Sequence, residues 1–141
     1  MHTRLSGLVV NGRECILELR VSHPSERDPN KARVVKAIID TGATHSAIRQ
    51  DIAVALGLPV TGTMPVDTAS TAGSAIACPV FLGKLWIGQP IVTNVIELTG
   101  MPLRDEMLFG MNSIAGGVLT VDMVAGTWSW ELPERSVRKG R

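Results

Sequence analysis

The chain has 141 residues, long enough for one domain with its own core and too short for two lobes. Its formal charge of +1 gives no electrostatic argument for nucleic acid or for a strongly charged substrate. Hydrophobic residues make up 45%, yet Tyr is absent and only two Phe and three Trp occur, so core filling falls to Val, Ile, Leu, Met and Ala.

Leu8-Val9-Val10, the pair Asn11-Gly12, and the run from Cys15 to Val21 predict a β-hairpin, because Asn-Gly takes the two positive φ values of a tight turn. Residues 22–31 hold two Pro and several charges, and read as a polar loop, mobile or built for recognition. Residues 34–39 return to strand and deliver Asp40. Ser46 is a candidate N-cap, with Ile48, Ile52, Ala55 and Leu56 on one face of a following helix. Gly57 suits the position after that helix, and Pro59 stops its continuation. Short strands are expected at 64–68, 75–80, 85–87 and 91–97, with Gly88-Gln89-Pro90 a turn between the last two. Such spacing predicts an all-β, closed or partly closed structure. Leu108-Phe109-Gly110 ends a further strand, Asn112 is a candidate cap for a short helical turn, and Gly116-Gly117 ends it. Residues 118–121 and 127–132 finish as strands, with Trp128 and Trp130 on one face, either core or a dimer surface.

Cys15 and Cys78 have no partners at metal spacing, and His2, His23 and His45 are scattered. Buried free thiols are expected, with no metal site and no cofactor. The first residues lack the apolar run of a signal peptide, and no stretch has the length of a membrane span. A soluble, cytoplasmic protein without nucleic-acid or membrane partners is the expectation. Residues 1–134 read as a single domain and 135–141 as a basic, solvated tail.

The most informative stretch is Ile38-Ile39-Asp40-Thr41-Gly42-Ala43-Thr44. Two β-branched residues end a strand and carry a carboxylate to its tip; Gly42 lets the backbone turn and a ligand approach. Standing alone, Asp-Thr-Gly is also an ordinary turn after a strand. It does not stand alone here. Asp40 to Ser46, a helix closing at Leu56-Gly57-Leu58-Pro59, the small-residue stretch from Asp67 to Ser74, and Leu108-Phe109-Gly110-Met111-Asn112 follow in order. Over roughly residues 8–132 this order resembles the retropepsin-like (retroviral-type) aspartic peptidases.

The resemblance implies a closed β-barrel with one short helix after the active loop and another near Asn112, working as a homodimer. It implies Asp40 as the catalytic residue, paired with Asp40 of a second copy, since none of Asp51, Asp67, Asp105 and Asp122 is followed by Ser/Thr-Gly. Thr41, Gly42 and Ala43 would support the active loop, Thr41 by a hydroxyl bond across the dimer or by a local turn bond. Ala69, Ser70, Thr71, Ala72 and Gly73 would form a flap over a peptide or protein substrate. Gly110 would pack beneath the active loop, with Asn112 where many family members carry Asp, and His45 would be a surface residue. The implied function is endopeptidase hydrolysis. The alternative is a retropepsin-like module for dimerisation or peptide binding, with little or no turnover.

Overall fold

In a computed structural model that describes residues 3–67 and 73–132, the Asn11-Gly12 pair turns the chain as its chemistry predicts. Asn11 and Gly12 take φ of 53° and 67°, and the Arg13 N–H closes the turn on the Val10 carbonyl at 3.1 Å. This joins β1 (Thr3–Val10) to β2 (Glu14–Ser22). Then come β3 (Arg33–Ile39), β4 (Ala47–Arg49), α1 (Gln50–Ala55) and β5 (Val60–Val66). The rest is β6 (Ile76–Ile87), β7 (Val92–Met101), β8 (Met107–Phe109), α2 (Met111–Ile114), β9 (Val118–Asp122) and β10 (Thr127–Leu132).

The protein is all-β, and six strands close into a barrel. β2 pairs with both β3 and β6, which closes the ring β2-β3-β8-β4-β7-β6. Closure gives each of those strands a ring partner on both sides over part of its length. β5 adds outside β6, while β1 continues from β2 to β10 and β9. Inside lie Leu17, Leu19, Val21, Val35, Ile48, Leu85, Leu98, Met107 and Phe109. Burying a side chain such as Ile48 contributes roughly 1.5–3 kcal/mol. Trp128 and Trp130 belong to this core and not to an exposed surface. Trp130 meets Phe109 edge to face with ring centroids 6.0 Å apart, a favoured geometry for two aromatic quadrupoles.

Several expectations need correction. Ser46 is not an N-cap: Ala47–Arg49 is strand, and α1 starts at Gln50 after Arg49, without a side-chain cap. Pairing decided this, since Ala47 and Ile48 pair with β7 on one side and β8 on the other. Ile48 is therefore a barrel residue, and α1 buries Ile52 and Ala53 while Ala55 is exposed. Asn112 lies within α2, whose N-cap is Gly110. The strands expected at 75–80 and 85–87 are one strand, β6, because eight consecutive registered pairs with β7 carry it through Gly83. Gly83 sits where a Cβ would come 2.7 Å from Leu98 Cδ1, so a small residue there lets the strands pack.

The polar loop after β2 is fastened down. Lys84 Nζ donates to the Glu26 carbonyl at 2.7 Å and sits 4.5 Å from the centre of the Trp86 ring. Arg20 donates to the Pro29 carbonyl at 2.7 Å, beside a 3-10 turn at Pro29–Lys31. Gly57 takes φ 65° after α1, as expected of the residue that ends a helix. Both cysteines are free, Cys78 buried and Cys15 half-buried. Among the described residues no helix is long and apolar enough to cross a membrane.

Candidate active site

The two apolar-apolar elements lie side by side. β3 and β8 run parallel, with Ile38 opposite Leu108 and Ile39 opposite Phe109. The Asp40 N–H extends this ladder by donating to the Phe109 carbonyl at 3.0 Å. Asp40 thus leaves the barrel wall at a fixed height, half-buried at the strand tip. Its Oδ1 accepts the Gly42 N–H at 3.0 Å, and its carbonyl accepts the Ala43 N–H at 3.2 Å. The loop is a tight turn folded around its own carboxylate.

The second element holds that turn from below. Met111 N–H donates to the Ala43 carbonyl at 2.8 Å, and Asn112 N–H donates to the Thr44 carbonyl at 3.2 Å. These are first-turn amides of α2, which have no acceptor within their own helix. Gly110 passes directly under the loop: a Cβ there would stand 2.9 Å from the Ala43 carbonyl oxygen.

A cleft of about 410 Å³ opens over this turn. Asp40, Gly42, Ala43, Thr44 and His45 form one wall, Met64 to Asp67 another, with Thr99, Met101 and Leu108 between. The lining combines apolar side chains with a few polar groups, the general make-up of a binding pocket. Asp67 also reaches the cleft, but from the end of β5 and not from a strand-turn of the Asp40 kind.

Asp40, Gly42 and Ala43 meet at the cleft; Thr41 is exposed at the loop tip, its hydroxyl bonding nothing among the described residues. His45 is exposed, as expected, yet also lines the cleft. Ala69, Ser70, Thr71 and Ala72 lie outside the described residues. Gly73 is exposed with φ 83°, a left-handed turn conformation that favours glycine. The β5–β6 hairpin is closed by the Val66–Ile76 pair, so its root stands at the cleft. Met64, Val66, Thr99 and Met101 were missed by sequence reasoning. The alternation Met64, Val66 on one strand was the signal available; the approach of β7 carried none.

A closed all-β barrel with an Asp-Thr-Gly turn over an apolar cleft is the architecture of a retropepsin-like aspartic protease. The family model described as "gag-polyprotein putative aspartyl protease" matches residues 30–115, more than half of the chain, and the protein belongs to that family. Among solved structures it is similar to a retropepsin-like aspartic protease from Rickettsia conorii. That likeness has a TM-score of 0.63 at 16% identity, covering 93% of this chain and 92% of that chain, and is a likeness of fold. No curated protein matches the sequence.

Proposed function

We propose that the chain is an aspartic endopeptidase whose active site forms when two copies bring their Asp40 loops together. One observation carries this reading: a single Asp-Thr-Gly turn, braced by β8 and α2, presents one carboxylate to an apolar cleft. Peptide hydrolysis by carboxyl groups needs two, one to take a proton from water and one to give a proton. A symmetric dimer supplies both, with the site on its two-fold axis. The scheme has one carboxyl of the pair act as base and the other, carrying a proton, act as acid.

In this scheme water lies between Asp40 and Asp40 of the partner subunit. The ionised carboxylate takes a proton from the water as its oxygen attacks the peptide carbonyl carbon. The protonated carboxyl gives its proton to the carbonyl oxygen. Collapse of the tetrahedral intermediate then breaks the C–N bond, with a proton passing to the leaving nitrogen. Thr41, exposed and with no hydroxyl bond among the described residues, suits a hydroxyl bond to the partner's loop. The substrate is a peptide or protein segment bound extended, between the cleft floor and the hairpin rooted at Val66 and Ile76. The scheme calls on no cofactor.

Digestion of a mixed peptide library by the wild type and by Asp40→Asn tests the reading. The amide is nearly isosteric but cannot act as base, so cleavage should vanish while the fold persists. Equal turnover by both proteins would remove Asp40 from the chemistry. Peptide binding without turnover in either would mark a binding module of the same fold.

A further inference from the structure

We propose that Ser46 and Asn112 form a clamp that positions Asp40 against the β7 side of the cleft, setting turnover without touching substrate. This rests on the peptidase reading of Asp40. Ser46 is fully buried, six residues beyond the catalytic candidate. Its hydroxyl donates to Asn112 Oδ1 at 2.7 Å, accepts the Gly110 N–H at 3.0 Å, and meets Ser113 Oγ at 2.6 Å. One donor and two acceptor sites are thereby all used. Asn112 Oδ1 also takes the Ser46 N–H at 2.7 Å, so one carboxamide oxygen holds the residue by backbone and side chain together.

The clamp reaches past the loop. Asn112 Nδ2 donates to the Glu97 carbonyl at 3.3 Å, and the Thr99 N–H donates to the Ser46 carbonyl at 3.1 Å. Glu97 and Thr99 belong to β7, the strand that carries Thr99 and Met101 into the cleft. The loop that carries Asp40 is thus tied at its front to Phe109 and at its rear, through Ser46, to both α2 and β7. A buried network that is fully satisfied specifies one geometry, and losing one member leaves other buried groups unpaired. Neither Ser46 nor Asn112 lines the cleft, so loosening the clamp should misplace the carboxylate more than it weakens binding.

Asn112→Ala tests this, since Asn112 is only half-buried and the barrel core does not include it. The expected result is a fall in kcat of at least about tenfold with KM changed less than about threefold. Amide hydrogen exchange should quicken at Gly42 and Gly110 while the amides of β2 stay protected. Asn112→Asp keeps the acceptor for both Ser46 bonds and should return kcat to within about threefold of wild type. Ile87→Val, a core truncation outside the cleft, serves as the control for general destabilisation and should leave kcat in place. A wild-type kcat in Asn112→Ala, an equal loss in Asn112→Asp, or an equal loss in Ile87→Val would each overturn the clamp. Should the wild type itself cleave nothing, the peptidase reading fails, and unchanged exchange at Gly42 and Gly110 in Asn112→Ala would separately overturn the clamp.

Discussion

A methyl group on Gly110 would stand 2.6 Å from the carbonyl oxygen of His45 and 2.7 Å from its carbonyl carbon. The backbone at Gly110, with φ −90° and ψ −172°, is open to any residue, so the constraint is space and not torsion. The atoms in the way are backbone atoms of the active loop, which cannot swing aside as a side chain can. A residue without a functional side chain thereby sets how closely the floor approaches the Asp40 turn.

Gly110→Ala should therefore push the loop off its floor and cost about 1–3 kcal/mol. Chemical denaturation of the variant measures this. Stability within experimental error of the wild type would mean that the loop yields freely.

Specific activity should fall on dilution through the dimer constant, since each copy brings one Asp-Thr-Gly. Thr41→Val should move that loss to higher protein concentration while leaving subunit stability within about 0.5 kcal/mol. Activity against concentration, beside sedimentation, reads both effects. A fully active monomer at any dilution would refute the shared site.

A peptide carrying a hydroxymethylene in place of the scissile amide should compete with substrate, because its hydroxyl occupies the place of the attacking water. Titration against the best library substrate checks this. Failure to compete, by a compound built on that substrate's own sequence, would count against the two-carboxylate scheme.

Burial pushes the Cys78 thiol up from its ordinary range, and Cys15 is shifted the same way by the same cause. The reactive form is the thiolate. At neutral pH, alkylation of the native protein should therefore spare Cys78, which is 3% exposed, until the chain unfolds. Mass spectrometry of the labelled protein counts the sites. Labelling of Cys78 at the rate of a free thiol would show that the β5–β6 region opens readily.

Local chemistry was legible where a few adjacent residues decide the backbone. Asn11-Gly12 and Gly88-Gln89-Pro90 are turns because their φ preferences require it, and Gly57 ends α1 for the same reason. The strand ending in Asp40 and the apolar-apolar-Gly at Gly110 were legible as a pair, because both are short apolar runs broken by glycine. What those runs do to each other was not. Sequence carries no distance between Ile39 and Phe109, and only parallel pairing of β3 with β8 puts Gly110 beneath the loop.

Ser46 makes the same point from the other side. Its local context favours a cap, and an isolated peptide has no reason to do otherwise. Two strand partners for Ala47 and Ile48, with Asn112 waiting sixty-six residues further on, outweigh that preference. The chain by itself determined the turns, the apolar runs and the Asp-Thr-Gly. Barrel closure decided which hydroxyl is buried, which wall faces Asp40 and where Trp128 and Trp130 point. The physical reason is that hydrogen bonds and packing between strands far apart in sequence exceed the fractions of a kcal/mol by which local preferences differ.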